Sequence, residues 1–301
     1  MLRDGGQGRV VSGREARHTR PMRATAPKPT SLPCALAISG LDPSGGAGIF
    51  ADLRAFAAAG AWGCGTPAMS TVQSTAAMRS GRALPARELV AQLRELAGHQ
   101  DVKSIKIGAL GSAANVRAVL LWLRGIPDIV PVVLDPVMLP SRGTRAARLL
   151  DRAGVRALSA LAARATLVTP NVPEAEELVG MRIRSLADAE QAARALVRAG
   201  ARAALVKGGH LRTAGAPGKT IDVLAIGAKI VHFSAPRVAV TVHGTGCALA
   251  SLIAGRLAQT GLRARASDQS IIGAVRWAKN RLQRALRRPA RIGAGALVLP
   301  L

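Results

Sequence analysis

Val242-His243-Gly244-Thr245-Gly246-Cys247 places two glycines and a cysteine directly before an apolar segment. The apolar residues after it recur at helical spacing: Leu249, Leu252, Ile253 and Leu257. The loop therefore leads into a buried helix. The first N–H groups of a helix lack partners inside it and carry the positive end of its dipole, so this loop suits a phosphate group.

Cys247 lies within one turn of this expected anion site. A helix N-terminus favours thiolate over thiol, so we expect the pKa of Cys247 to lie below the usual value of roughly 8.5. Such a cysteine would serve as a base or a nucleophile. A glycine-rich turn with a small buried cysteine as filler is the alternative that this stretch alone leaves open.

The composition is that of a globular protein, and the distribution of its charge does not favour nucleic-acid binding. The 301 residues are 49% hydrophobic, enough for one large domain or two small ones. The net charge is +25, but residues 1–33 and 276–291 carry twelve of these charges, and the chain holds three Phe, three Trp and no Tyr. Few aromatic rings are available to stack on bases. A solvated basic surface is favoured over a nucleic-acid groove.

The cysteines and the ends of the chain indicate a cytoplasmic protein. Cys34, Cys64 and Cys247 match neither a disulfide framework nor metal-ligand spacing. No apolar run approaches the roughly 18–20 residues of a membrane span. Residues 1–33 are rich in arginine and proline and are predicted to be a disordered basic extension, with a transit-like role or an over-extended translation start as alternatives.

Strands and helices alternate along the chain, which indicates a mostly parallel sheet. Residues 34–39 form an apolar run that is followed by the glycine turn 40–48 and a helical pattern. The other expected parallel strands lie at 64–75, 104–107, 130–134, 166–169 and 203–206. An antiparallel hairpin is predicted at 221–233. Helices over 248–258 and 267–287 complete the pattern.

Polar residues follow three consecutive strands of this predicted sheet. Asp135, Asn171 with Glu174, and Lys207 come directly after buried strands. Ligands of open α/β sheets bind outside the carboxyl ends of the strands, so we expect these four residues to face one crevice. Each of them alone would be explained equally well by a capping or surface role.

The chemistry of this group is that of phosphoryl transfer. An anion site at a helix N-terminus, a lysine and a set of oxygen ligands together suit a phosphate donor with a divalent metal, and Mg²⁺ prefers oxygen ligands. The sequence contains neither a G-x-x-x-x-G-K-[ST] loop nor the catalytic loop of protein kinases. A different kinase architecture is needed.

Seven motifs resemble the ribokinase-like fold, and within it the bacterial hydroxymethylpyrimidine/phosphomethylpyrimidine kinases. The resemblance covers about residues 33–288 and rests on segments 40–48, 72–75, 106–108, 135–138, 169–176, 206–210 and 243–247. It implies a three-layer α/β/α kinase domain at 34–288, with a mostly parallel central sheet and an antiparallel hairpin at one edge. Residues 289–301 remain as a C-terminal tail.

The resemblance also implies an activity and a division of roles. Such enzymes transfer the ATP γ-phosphate to the hydroxymethyl group of 4-amino-5-hydroxymethyl-2-methylpyrimidine, and then phosphorylate that monophosphate. Cys247 would take the proton of the attacking hydroxyl, while the N–H groups of Gly244, Thr245, Gly246 and Cys247 hold the developing charge. Lys207 would neutralise phosphate charge. A homodimer is expected.

The remaining site residues are assigned by the same resemblance. Asp135, Asn171, Glu174 and His243 are predicted at the ATP and metal site, with Asp135 and Glu174 as the Mg²⁺ ligands. Gly40, Asp42, Gln73 and Val137 are predicted to bind the acceptor, because the amide of Gln73 offers both a donor and an acceptor to an aminopyrimidine.

Some positions depart from the family pattern and concern the acceptor pocket. Leu41 stands where serine is common, and Ala109 stands where methionine usually packs on the pyrimidine. The segment 64–69 replaces a β-branched run, and its Pro67 cannot donate a ladder hydrogen bond. A pyridoxine or pyridoxal kinase of the same fold is therefore the first alternative. A non-catalytic sensor with basic nucleic-acid-binding tails is the second.

Overall fold

A computed structural model describes residues 31–138, 149–150, 152–210, 218–260 and 266–301. Within these ranges the strands are β1 Cys34–Leu41, β2 Trp62–Gln73, β3 Met78–Ala83, β4 Val102–Ile107, β5 Val132–Leu134, β6 Leu167–Val168, β7 Ala203–Val206, β8 Lys219–Ile226 and β9 Lys229–Pro236. The helices are α1 Gly48–Ala58, α2 Ala86–His99, α3 Ala113–Leu123, α4 Arg152–Ala162, α5 Val172–Val179, α6 Leu186–Arg198, α7 Thr245–Ala258 and α8 Asp268–Leu286.

The described strands form one sheet in the order β3-β2-β1-β4-β5-β6-β7-β8-β9. Neighbouring strands from β2 through β7 are parallel, and β8 and β9 form the predicted antiparallel hairpin at one edge. The mostly parallel α/β fold is thus confirmed. The opposite edge holds β3, which is antiparallel to β2 and was not expected as a strand from its mostly polar residues.

Helices cover both faces of the sheet because its central strands are apolar on both sides. Ala35 and Ala37 of β1 face a cluster with α1, α7 and α8, whereas Leu36 and Ile38 face α2, α3 and α4. Helices α5 and α6 pack beside β7 and β8. This is the three-layer arrangement implied by the resemblance.

Pro67 lies inside β2, at a break in the ladder. The register with β1 changes between the pairs Ser39–Pro67 and Gly40–Met69, so one extra residue is inserted there. A proline has no N–H to donate, and a bulge is one of the few places where a strand accommodates it. Two departures from the family pattern, Pro67 and Met69, therefore lie at a local distortion of β2.

The ends of the chain differ in how much of them is described. The predicted basic extension at residues 1–33 lies almost wholly outside the described residues. The tail at 289–301 is described and contacts the glycine loop, since the His243 N–H donates to the Leu297 carbonyl at 2.8 Å. None of the described helices combines the length and apolar character needed to cross a bilayer.

Candidate active site

The polar residues expected at the carboxyl edge of the sheet lie together in the structure. Lys207, directly after β7, donates from Nζ to Asp135 Oδ1 at 2.8 Å, and its Nζ lies 4.0 Å from Glu174 Oε2. Asp135 follows β5, and Asn171 forms a bridge with the backbone of Lys207. The grouping predicted from the sequence is correct, and the role of each residue stays a prediction.

Asn171 and Glu174 are held in place by the start of α5. Asn171 Oδ1 accepts the Glu174 N–H at 2.9 Å, and Glu174 Oε2 accepts the Asn171 N–H at 2.8 Å. This reciprocal cap satisfies donors that a helix N-terminus leaves open. The capping role considered for Asn171 is therefore present, and it fixes the Glu174 carboxylate beside Lys207.

Burial and charge set the ionisation of these groups. Burial raises the pKa of Glu174 to about 7, against the effect of Lys207 and together with that of Asp135. Burial alone would also raise the pKa of Asp135, but Lys207 and then Lys106 keep it below its ordinary value. Burial would lower the pKa of Lys207, yet Asp135 and Glu174 raise it. Lys207 and Asp135 are a charged pair at neutral pH.

The glycine loop leads into α7 as predicted. The helix begins at Thr245, before the predicted start at residue 248. Gly244 is the N-cap residue at φ +77°, a conformation that favours glycine, and Thr245 is the first residue of α7. Gly246 and Cys247 thus lie in the first turn. A Cβ atom at Gly246 would lie 3.2 Å from Lys207 Nζ, so the lysine lies directly against the loop.

The expected lowering of the Cys247 pKa is wrong. Burial raises the pKa of this thiol to about 12, and Asp135 and Asp52 add to the effect, while Lys106 and Lys207 oppose it. The thiol is also a hydrogen-bond partner of the Asp135 carboxyl group. Removal of the thiol from water favours its neutral form, so Cys247 is protonated at neutral pH.

His243, Asp42 and Gln73 form a second group on the other side of the loop. His243 Nε2 lies 2.8 Å from Asp42 Oδ2 and 3.0 Å from Gln73 Nε2. Its Nδ1 is buried and has no hydrogen-bond partner in the described part of the chain. The ring of His243 thus contacts two residues predicted for the acceptor, and its assignment to the ATP and metal site stays a prediction.

Asp42 uses its carboxylate to shape the glycine turn before α1. It accepts the Ser44 N–H at 2.9 Å, the Ser44 hydroxyl at 2.7 Å and the Ala47 N–H at 2.9 Å. Burial opposes its charge, but His243 and Ser44 hold its pKa below the ordinary value. The structure thus gives Asp42 a structural function, and contact with an acceptor remains a prediction.

Two of the predicted acceptor residues border an apolar cluster. Val137 and Ala109 pack with Met69, Met78 and Leu149, and a Cβ at Gly40 would lie 3.1 Å from the Met69 side chain. In the sequence, the segment around Met69 is marked only by its departure from the family pattern. Met69 and Ala109 both lie against Gly40 in the folded chain, a proximity that the sequence does not display.

A cavity of about 620 Å³ opens over the loop, Lys207 and Asp135. Its wall combines polar groups with an apolar side formed by Val238, Val240, Val242, Leu282 and Leu286. It is large enough for a nucleotide. Among the described residues no group of three or more His, Cys, Asp or Glu side chains could hold a metal ion, so a metal here would rest on two carboxylates.

Comparison with known proteins assigns the chain to a family. The sequence model for phosphomethylpyrimidine kinase matches residues 42–299. The chain belongs to the phosphomethylpyrimidine kinase family. It is therefore a kinase, with the ribokinase-like fold that the motifs implied.

Relatives in this family agree over most of the chain. The hydroxymethylpyrimidine/phosphomethylpyrimidine kinase of Streptomyces coelicolor is 35% identical over 90% of this chain and 95% of its own length. The thiamine biosynthesis bifunctional protein ThiED of Geobacter sulfurreducens is 39% identical over 74% of this chain, which spans only 44% of that protein. The Bacillus subtilis pyridoxal kinase solved with ADP has a TM-score of 0.75 at 25% identity, covering 89% of this chain and 97% of its own.

Proposed function

We propose that this protein transfers the γ-phosphoryl group of ATP to 4-amino-5-hydroxymethyl-2-methylpyrimidine, and then to the resulting monophosphate, in thiamine biosynthesis. The observation that carries this proposal is the meeting of the Cys247 loop, Lys207 and Asp135 at the floor of one cavity. The relatives' names supply the acceptor. We further propose a cytoplasmic homodimer.

The residues divide the work of the transfer. The free N–H groups of the first turn of α7 and the ammonium of Lys207 would hold the charge of the transferred phosphoryl group. Cys247, as a thiolate, would take the proton from the attacking hydroxyl and become a thiol. Because the resting thiol has a pKa of about 12, its proton must leave before this step.

The carboxylates fit a magnesium ion that arrives with the nucleotide. Mg²⁺ keeps several waters and is bound by one or two carboxylates together with substrate phosphates, so the pair Asp135 and Glu174 is sufficient. When bound, the ion would neutralise phosphate charge. Lys207 and Asp135 are already paired at 2.8 Å, so the lysine is pre-oriented toward the same phosphates.

The acceptor pocket keeps its apolar character despite Ala109. Met69 and Met78 pack in the same cluster as Ala109 and Val137. A flexible thioether fills irregular space, so these methionines would supply the packing surface that the resemblance assigns to position 109. A pyridoxal kinase is the second candidate, favoured by the likeness to the Bacillus subtilis structure and by the smaller residue at 109.

A side-by-side acceptor screen tests the proposal. We expect kcat/KM for the hydroxymethylpyrimidine to exceed that for pyridoxal by about 100-fold, since a site that hydrogen-bonds its substrate rejects a mismatched one strongly. Ala109→Met is the matched variant and should retain this preference. A preference for pyridoxal would contradict the proposal. Turnover of no acceptor, with steeply salt-dependent DNA binding, would favour the sensor.

A further inference from the structure

A buried ion pair lies beneath the candidate site and has no part in the roles assigned above. Lys106 Nζ on β4 donates to both carboxylate oxygens of Asp52 on α1, each at 2.9 Å, and both side chains are fully buried. Two hydroxyl groups complete the cluster. Ser39 Oγ on β1 and Ser251 Oγ on α7 each donate to Asp52 at 2.6 Å.

A buried ion pair of this kind contributes little net free energy to folding. Removing two charges from water costs several kcal/mol for each ion, and replacing a buried pair with uncharged residues of similar volume is often neutral or stabilising. The chain nevertheless leaves space for the ammonium group. A Cβ at Gly108 would lie 2.7 Å from Lys106 Nζ, so glycine at this position keeps the space open.

The cluster is attached to the catalytic helix from inside. Ser251 lies four residues after Cys247 and therefore one turn further along the same side of α7. Asp52 thus joins α7 to β1 and β4. The charge of Lys106 also acts on Cys247 and Asp135.

We propose that Lys106 and Asp52 are positioning residues that hold the first two turns of α7, and with them Cys247, against β1 and β4 for phosphoryl transfer. This inference rests on the proposed function, because it concerns the geometry of that reaction. Displacement of a catalytic group by about 1 Å can lower the reaction rate on the order of 100-fold. The pair therefore acts on kcat and leaves substrate binding intact.

The double variant Lys106→Met with Asp52→Asn tests this inference. It removes both charges together and keeps the side-chain volumes. We expect a folded protein whose kcat falls by about 10-fold or more, while KM for ATP and for the acceptor stays within about twofold. Amide hydrogen exchange should become faster at 245–252. Wild-type kcat and wild-type exchange in a folded double variant would overturn the proposal.

A remote ion pair, partly exposed rather than buried, provides the control. Arg202 precedes β7, at the end of the strand away from Lys207, and its Nη2 lies 3.3 Å from Asp268. Arg202→Met with Asp268→Asn should leave kcat and the exchange of α7 unchanged. An equal loss of kcat in this control would also overturn the proposal, since any lost ion pair would then have the same effect.

Two serine variants keep the test decisive if the double variant does not fold. Ser251→Ala removes the bond from α7 to Asp52, and Ser39→Ala removes a bond of the same length from β1. We expect Ser251→Ala to lower kcat by more than Ser39→Ala, and only Ser251→Ala to raise exchange at 245–252. Equal effects would refute the positioning role. If the wild type phosphorylates no pyrimidine, the proposed function fails, while the exchange data still decide this inference.

Discussion

The charges of two lysines and two aspartates act on the thiol of Cys247. Burial is the largest influence on its pKa, and the carboxylates of Asp135 and Asp52 act in the same direction. A helix N-terminus contributes only a fraction of an elementary charge, and that fraction is all that the sequence offers as a cause for a lowered pKa. The sequence locates the cysteine correctly, but it does not contain the burial that controls its ionisation.

The pKa of Cys247 predicts how activity depends on pH. Below a pKa of about 12 the thiolate fraction rises with pH, so we expect kcat to increase by roughly tenfold per pH unit between pH 7 and 9. Cys247→Asp places a carboxylate there and should give a much flatter profile. Initial rates with saturating ATP and acceptor measure both. A flat wild-type profile would show that Cys247 is not the base.

The raised pKa of Glu174 predicts that its contribution to folding stability falls as pH rises, whereas kcat is expected to rise. Its pKa in the folded protein, about 7, lies above the ordinary 4.5, so the folded state holds the proton more tightly than the unfolded state. This stabilising contribution is present below pH 4.5 and is lost as pH rises through 7. Glu174→Gln should therefore gain melting temperature relative to wild type at pH 8, and much less at pH 5. Thermal unfolding of the nucleotide-free protein measures it.

An exposed carboxylate is the control for this prediction. Glu88 in α2 is exposed, so Glu88→Gln should show no such difference between pH 5 and pH 8. If Glu174→Gln raises the melting temperature as much at pH 5 as at pH 8, the raised pKa of Glu174 is contradicted.

At the scale of elements, two glycine-rich segments interlock to place the N-terminus of α7. A Cβ at Gly244 would collide with the carbonyl oxygen of Gly46, and a Cβ at Gly46 would collide with the ring of His243. The turn before α1 and the loop before α7 therefore approach each other more closely than side chains permit. This contact fixes the turn before α1 against the N-terminus of α7.

Alanine at Gly244 should break this contact. Gly244 has a positive φ and no space for a Cβ, so we expect Gly244→Ala to lower the melting temperature by several degrees and kcat by at least about tenfold. Gly273→Ala in α8 has nothing within 4 Å and should stabilise the protein by about 0.5–1 kcal/mol. Thermal unfolding and kinetics of both variants measure this. Equal effects of the two would contradict the interlock.

The elements differ in how well the sequence predicts them. Buried strands such as β1 and β7 are continuous apolar runs, and the polar residues after them identify the site edge. Edge strand β3 escapes prediction because Met78–Ala83 is mostly polar and is held by its backbone pairing with β2. Helix α6 was not assigned, although Ser185 and Asp188 form a capping box that the sequence displays.

The contacts that complete the site are long-range, and no local pattern reveals them. Asp52 and Ser251 are separated by 199 residues, and Gln73 and His243 by 170. The sequence shows a lysine within an apolar strand at 106 but not the carboxylate that pairs with it. A polar residue in the middle of a buried strand is the one signal that would have identified this cluster.

At the scale of the whole molecule, the C-terminal tail joins the two sides of the site. Leu297 accepts the His243 N–H at 2.8 Å, and the Ala296 N–H donates to Thr75 at 2.9 Å. Gly295 lies so close to Thr75 that a Cβ there would collide with it. The tail thus connects the glycine loop to the end of β2. The sequence alone indicates no such role for the tail.

Truncations at the two ends should therefore differ. Deletion of residues 293–301 removes the bonds to His243 and Thr75, so we expect a lower melting temperature and a loss of kcat of about tenfold or more. Deletion of residues 1–31 should leave both unchanged, because the sequence predicts a disordered basic extension there. Thermal unfolding and initial rates compare the two. Full activity after the C-terminal deletion would contradict the role of the tail.

Phosphorylation of the hydroxymethylpyrimidine at the Cys247 loop is tested by measuring ADP release with Mg-ATP and this acceptor. Wild type and Cys247→Ala are compared, with Cys64→Ala as a control for loss of a cysteine elsewhere. We expect acceptor-dependent turnover that falls by roughly 10²–10⁴-fold in Cys247→Ala and is kept in Cys64→Ala. Equal rates in all three proteins, or no acceptor-dependent turnover by wild type, would contradict it.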